Sequence, residues 1–549
     1  MSLGQRRDSG MQKFDFIIIG GGSAGCVLAD KLSACGTYSV LLLEAGPSDK
    51  RFWIKVPIGY GNSFHNPKVN WRFNGVPDDG LGGRSSYAPR GKVLGGSSSI
   101  NALVYHRGQA GDYDDWAAAG NSDWDYAAVK PIFDSYEIVG NRKETGNKAR
   151  EPKLSVTDAS ASYHRLSKDF LDICQETQLP SDASPPIEGA GVGPYYITTR
   201  NGLRCSSATA FLDPARKRRN LTIITDIHIR RIITDNRRAI GVEGVRRGQN
   251  MRFDAGREII LSAGAVGSPQ ILQLSGIGSG KLLKKHDIDV VLDQPNVGQH
   301  MQDHLGVNYI FKANQPTLND VLGKWHARLA LGMKYVLRQS GPLALSVNQV
   351  GGLVKSAPNL TRPDTQLYMN PMSYTVQYNG KRPLTKPDNF PGFIIGFNSC
   401  RPKSRGSVEI NSADSRDQPK IWGNYLSHND DLDDVVRMAR LIEKMQSTKA
   451  LSGILSEPGL TPLGEMSDDE IIDDFRARSG TVFHLCGTCR MTPDASQGVV
   501  DQRLRVHNMD RLRVCDASIF PNVTSANTNA PTIMVAHKGA QMILADNRG

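Results

Sequence analysis

The chain of 549 residues has no apolar run approaching the roughly 18–20 residues that a membrane-spanning helix needs. Its first ten residues are polar and carry no apolar core, so no secretory signal is expected and they read as a short leader without fixed structure. Eight cysteines are scattered through the sequence and, without a signal peptide, read as reduced thiols in a reducing compartment, which points to a cytoplasmic protein. Two of them stand beside a histidine in His484-Leu-Cys486-Gly-Thr-Cys489, but no second ligand pair lies elsewhere at suitable spacing, and no metal is expected. The net charge is +11, yet the basic residues are dispersed and form no stripe interleaved with aromatics. That argues against nucleic acid as a partner and leaves a solvated surface, with weak attraction to an anionic membrane surface as the lesser alternative, peripheral to an inner membrane. Repeats and low-complexity tracts are missing too. What remains is an ordinary globular chain, too long for one core and therefore of at least two domains.

The most informative stretch lies near the start. An apolar run, Ile17 to Ile19, feeds into glycines at 20, 22 and 25, an amphipathic helical pattern follows, and a second apolar run, Val40-Leu-Leu-Leu43, ends in Glu44. Strand, glycine turn, helix, strand and acid make the dinucleotide-binding βαβ unit. One glycine makes the turn, one lets the backbone approach a pyrophosphate, and one lets helix and strand pack closely. The pyrophosphate sits on the positive end of the helix, and Glu44 can accept both hydrogen bonds of a ribose diol.

Downstream, residues 46–90 read as long ordered loops, and a dense glycine-serine element follows in Arg90-Gly-Lys-Val-Leu-Gly-Gly-Ser-Ser-Ser-Ile-Asn101. Small residues there suit close approach to a large planar or phosphate-bearing ligand. Residues 112–140 read as helical and 142–152 as a charged loop. Strand signals return at 221–225, 229–234, 240–245 and 258–262, and lead into a small-residue turn and helix at 263–278. A β-like run at 392–397, one helix face over 430–445 and a final apolar helix from Ile533 to Leu544 complete the pattern. The fold class is α/β, α+β overall: a nucleotide domain built from separated segments, interleaved with a second domain.

These residues resemble the glucose–methanol–choline (GMC) oxidoreductases in five ordered motifs: the N-terminal βαβ unit, 91–101, 264–278, Phe483-His484-x-x-Gly-Thr488, and Asn527-Thr528 before the last helix. The likeness runs from about 14 to 544 and is strongest to the bacterial branch of choline and FAD-dependent alcohol dehydrogenases. It implies a Rossmann-like FAD-binding domain from 11–153, 221–304 and 480–549. The substrate domain is implied at 154–220 and 305–479, with an antiparallel sheet and flanking helices. FAD, rather than NAD, is implied on Gly20, Gly22, Ser23, Ala24, Gly25, Glu44 and Ala45. Trp71, Gly91, Val93, Gly96 and Ser97 are implied further along, with Asn101, Ala102, Leu103, Val104 and Ile229. Asp516, Ala517 and Thr528 are implied beside the ribityl chain and ring. Some members tether FAD through a histidine at the position that Ile100 occupies here, so noncovalent binding is expected.

The same resemblance makes His484 the catalytic base and Asn527 its partner, with Asn529 as the alternative to Asn527. His484 taken alone reads as a hydrogen-bonded loop histidine, and Asn527 as an Asx-type cap of the last helix. The chemistry needs a base within about 3 Å of the alcohol hydroxyl, and an amide suits the alcohol oxygen. The expected reaction is oxidation of a primary alcohol to its aldehyde, with a quinone or O2 as electron acceptor. Choline dehydrogenase and an oxygen-reducing alcohol oxidase are the alternatives, and a FAD-containing hydroxynitrile lyase is the alternative of another class. Gln349, where several relatives carry Glu, is expected at the pocket and lowers the expectation of a cationic substrate.

Overall fold

The computed structural model describes residues 12–140, 153–182, 187–323, 325–374, 387–459 and 461–548, with backbone alone at 325 and 326. The leader at 1–10 and the charged loop expected at 142–152 lie outside the described residues.

The first apolar run is the strand Gln12–Ile19, and Val40–Leu43 pairs parallel to it. Ile17, Ile18, Leu41 and Leu42 are fully buried, because this sheet is covered on both faces and its strands need apolar residues at successive positions. Leu221–Ile224 pairs parallel with Val40–Leu43, and Gln249–Leu261 runs parallel to Gln12–Ile19 on its other side. Leu512–Val514, almost 500 residues from the first strand, pairs parallel with the last residues of Gln249–Leu261. An antiparallel meander of Ile227–Asp235 and Arg238–Arg246 extends the sheet to seven strands.

The five parallel strands end along one edge of the sheet, at Ile224, Leu43, Ile19, Leu261 and Val514. The crevice beyond such carboxyl ends is where open α/β sheets bind ligands. Two helices start there: Ser23–Ser33 after the glycine turn, and Gly264–Leu274 after the strand ending at Leu261. A third, Asn529–Asp546, packs against the first and begins four residues earlier than its apolar pattern predicts. Pro531 lies in its first turn, where a missing N–H costs nothing.

The second sheet has six antiparallel strands in the order Gly480–Thr481, Leu305–Lys312, Gly392–Ser399, Thr365–Asn370, Val350–Val354 and Gly191–Pro194. Alternation along these strands divides its faces. Val307, Tyr309, Phe311, Leu367, Met369, Phe393, Ile395 and Phe397 pack against the helices Leu166–Glu176, Asn429–Gln446 and Asp468–Arg478. Asn308, Ile310, Gln366, Tyr368, Asn370 and Asn398 point the other way, into the space between the sheets.

Candidate active site

Beyond the carboxyl ends of the parallel strands lies a cavity of about 2150 Å³ that reaches the polar face of the second sheet. Pockets for one drug-sized ligand are roughly 300–1,000 Å³, so this space can hold a dinucleotide and a further small molecule together.

The end nearest the first sheet is built for an anion. Gly22 caps the helix Ser23–Ser33 and offers no side chain to the first-turn N–H groups, and that turn holds no acidic residue. Gly22, Ser23 and Ala24 line the cavity, so the positive helix end faces it. Gly20 has φ +104°, and a Cβ there would meet the Ser262 carbonyl oxygen at 2.5 Å. A Cβ on Gly25 would stand 1.9 Å from the Gly20 carbonyl oxygen, whereas one on Gly22 would meet nothing closer than 3.8 Å. Gly20 and Gly25 are therefore required by the protein's own backbone, and the open side of Gly22 is left to a ligand. Glu44 accepts the N–H groups of Gly21 (2.8 Å) and Gly46 (2.7 Å), and burial pushes its carboxyl up to about 7. Asp516 ties the loops together by accepting from Gly264 N (2.8 Å), Ser268 Oγ (2.6 Å) and Ser518 N (2.8 Å).

The other end carries a directed hydrogen-bond chain. Asp303 accepts the His484 backbone N–H at 2.7 Å, together with the hydroxyls of Tyr425 (2.8 Å) and Thr481. Phe483 has φ +70°, an uncommon conformation for a bulky residue, and it turns the chain immediately before His484. That turn is held by Phe483 N donating to Thr481 Oγ1 at 2.9 Å and by Arg90 donating to the Phe483 carbonyl at 2.9 Å. His304 Nε2 lies 3.0 Å from the carbonyl oxygen of Cys400, which can only accept, so Nε2 carries the proton. Burial lowers the His304 pKa to about 4, so its ring is neutral and Nδ1 is a bare acceptor. His484 Nδ1, 2.8 Å away, must then donate, which leaves the lone pair of His484 on Nε2. Asn527 Nδ2 stands 3.1 Å from that Nε2, and Gln366 Nε2 donates to Asn527 Oδ1 at 3.4 Å. Burial first, then His304 and the Arg90 charge, hold the His484 pKa well below its ordinary value.

Most residues singled out in the sequence line this one cavity. They are Gly20, Gly22, Ser23, Ala24, Glu44, Ala45, Trp71, Gly91, Gly96, Ser97, Asn101, Ala102, Leu103, Val104, Ile229, His484, Asp516, Ala517, Asn527 and Thr528. Two are set back from it. Gly25 serves the close packing of helix on strand, and Val93 is buried with Ile54, Val69 and Ile100. The Asn101 amide oxygen is occupied, accepting from Arg204 at 2.7 Å. Asn527 faces His484, whereas Asn529 accepts from Ser23 Oγ at 2.9 Å. The last helix is capped at Thr528 without a side-chain bond, so Asn527 does not act as an Asx cap.

The expectation for Gln349 is corrected as well. Gln349 does not face the cavity: its Oε1 accepts from His164 N (2.7 Å) and Ser167 Oγ (3.2 Å), and Val347 and Asn348 line the wall instead. Gln349 lies in the loop just before the strand Val350–Val354, and the path of that loop turns its amide to the start of the helix Leu166–Glu176. The sequence reading also missed His304, Asp303 and the wall of Asn308, Gln366, Tyr368 and Asn370. Period-2 alternation in 305–312 could have separated the faces. Nothing local marks His304.

Two family models described as GMC oxidoreductase match this chain, one over residues 14–306 and one over 402–536. An alcohol dehydrogenase [acceptor] of Pseudomonas putida is 37% identical over 97% of this chain and 96% of its own. An oxygen-dependent choline dehydrogenase of Photobacterium profundum is 36% identical over 97% and 93%. Among solved structures, pyridoxine 4-oxidase from Mesorbium loti superposes with a TM-score of 0.83 at 27% identity, covering 96% of this chain and 98% of its own. A formate oxidase variant from Aspergillus oryzae, studied for FAD modification, gives 0.87 at 26% identity, covering 98% and 99%. No lyase stands among these relatives, and the non-redox alternative finds no support in them.

Proposed function

Because the chain belongs to the GMC oxidoreductase family, we propose that it oxidises a primary alcohol to its aldehyde, with His484 as base and Asn527 holding the alcohol oxygen. The observation that carries this reading is the one-way hydrogen-bond chain from Gln366 through Asn527, His484 and His304 to the Cys400 carbonyl. It leaves His484 neutral, with its lone pair on Nε2 beside an amide donor. An alcohol hydroxyl seated between them donates to Nε2 and accepts from Asn527 Nδ2, so the proton leaves as the amide supports the developing alkoxide.

FAD, when bound, supplies the acceptor for the hydride from the carbon that bears the hydroxyl. The cavity's volume, the uncapped helix end and the open side of Gly22 fit that cofactor. Gly22, Ser23 and Ala24 would hold its pyrophosphate, Glu44 a ribose, and the 91–104 and 516–528 segments the remainder. Ile100 offers no nucleophile for a covalent link, so the cofactor is held noncovalently, and acid precipitation should leave all the flavin in the supernatant.

A non-oxygen acceptor such as a quinone is favoured by the likeness to the acceptor-dependent alcohol dehydrogenase, and a cytoplasmic site of action fits the eight free thiols. No helix among the described residues is long and apolar enough to cross a membrane. The second-sheet face of the cavity carries the amides of Asn308, Gln366 and Asn370, Tyr368 and Ile310, which suits a neutral alcohol. Choline is the second reading, favoured by the choline dehydrogenase likeness and by Asp388, the carboxylate lining the cavity away from Glu44 and Asp516. Anaerobic addition of aliphatic alcohols and choline, followed by flavin absorbance, tests both. Bleaching by choline but not by neutral alcohols would reverse the preference, and no bleaching by any alcohol would overturn the function. Reoxidation by oxygen, then by a quinone, identifies the acceptor.

A further inference from the structure

Eight large hydrophobic residues are exposed among the described residues, and six of them belong to two neighbouring elements at the cavity's opening. Phe52 (58% exposed) and Trp53 begin the short helix Phe52–Lys55. Leu329, Met333, Val336 and Leu337 (82% exposed) lie on the helix Trp325–Arg338. Phe52, Trp53 and Val336 also line the cavity, so these elements form its rim. The two helices are joined through a small core in which Tyr335 packs with Val56 and Ala344, and the Tyr335 hydroxyl donates to the Gly202 carbonyl at 3.0 Å.

The spacing 329, 333, 336, 337 is that of one helix stripe, and it faces solvent while Tyr335 on the opposite side is buried. Isolated exposed hydrophobes are ordinary; a contiguous cluster beside a site is not. On the helical wheel Arg328 flanks the stripe on one side and Lys334 and Arg338 on the other, all exposed, and the helix contains no acidic residue. Exposed Lys50 and Arg51 adjoin Phe52. An apolar stripe edged by cations is the pattern of a helix lying in the plane of a membrane surface. A second copy of this chain fits poorly, since a twofold contact through this face would bring its basic edges together.

We propose that this rim docks on an anionic phospholipid bilayer, with Leu329, Met333 and Leu337 inserted at the headgroup boundary and Arg51, Lys334 and Arg338 on lipid phosphates. The cavity mouth then opens against the bilayer, where lipophilic alcohols and a lipid-soluble acceptor are concentrated. The inference does not depend on the role of His484.

Co-flotation of the flavin-loaded enzyme with vesicles tests it. The wild type should float with phosphatidylcholine–phosphatidylglycerol vesicles, bind vesicles of phosphatidylcholine alone on the order of tenfold less, and be released by salt. L329E/L337E should remain in solution while keeping its flavin spectrum and its rate with a soluble dye. K334E/R338E should lose on the order of tenfold or more in binding to the anionic vesicles, since each basic residue contributes severalfold there. Wild-type enzyme that stays unbound with both vesicles, or L329E/L337E that floats like wild type, would overturn the proposal. So would a wild-type dimer that L329E/L337E converts to a monomer, because that face would then belong to a second copy.

Discussion

His304 and His484 meet Nδ1 to Nδ1 at 2.8 Å with their rings nearly perpendicular, at 88°. Only one proton fits between two such nitrogens, and the Cys400 carbonyl decides on which ring it sits. In the proposed mechanism His304 thus acts through His484 as a positioning residue. H304A should lower the rate of flavin reduction by alcohol on the order of tenfold or more, with little change in the substrate concentration at half-saturation. H304Q can still accept from Nδ1–H and should recover part of the loss. Equal rates in wild type and H304A would show that the tautomer is set elsewhere.

Removing the proposed base itself should cost more. H484A is expected to retain FAD and slow reduction by alcohol by about 100-fold or more, the scale of a lost general base. N527A should lose less than H484A, because an amide supports charge but takes no proton. Stopped-flow absorbance measures both, and a near-normal rate in H484A would remove it from the mechanism.

The pH dependence follows from the burial of His484. A base works in its neutral form, which for this histidine persists well below the ordinary value of about 6.5. Activity is therefore fully present above that value, and kcat/KM should show no acid limb near pH 6.5, the limb appearing only further down. A single ionisation close to 6.5 that disappears in H484A would contradict the described environment.

Glu44 moves in the opposite sense. Burial raises its carboxyl to about 7, so the ionised form proposed to accept from ribose hydroxyls is lost as pH falls through that value. Rebinding of FAD by the apoprotein, followed by quenching of flavin fluorescence, should weaken from about pH 8 to about pH 6. The slope should vanish in E44Q.

Two glycines three residues apart should behave differently. G25A forces a Cβ to 1.9 Å from the Gly20 carbonyl oxygen and should destabilise the fold at or beyond the roughly 1–3 kcal/mol typical of overpacking. G22A clashes with nothing nearer than 3.8 Å and should fold with wild-type circular dichroism while losing affinity for FAD. Equal loss of fold in both would mean that Gly22 serves the backbone as well.

How far the sequence reaches is visible in these residues. The βαβ unit was legible because strand, turn, helix and acid are contiguous, and each leaves a local pattern. Asn527 and His484 were legible through resemblance, not through spacing, since 43 residues of chain separate two groups that stand 3.1 Å apart. His304 left no trace, because its role depends on a carbonyl 96 residues away. Gln349 was misjudged because a resemblance aligns residues without saying which way a loop side chain points. The apolar stripe on Trp325–Arg338 could be read as a helix pattern, but only its exposure separates it from a core face.

The pairing of Leu512–Val514 with Gln249–Leu261 has a consequence for biosynthesis. The last part of the cavity's lining, at 516–532, and half of the His484–Asn527 pair emerge from the ribosome last, after both sheets have had their earlier strands for many seconds. Until those residues arrive, the glycine turn and the second-sheet wall face a cavity still open on the side that Asp516, Ala517, Asn527 and Thr528 complete. Cofactor capture is thus a late event in the life of the nascent chain, and a polypeptide cut short before Leu512 keeps His484 but has lost Asn527, Asp516 and the last helix.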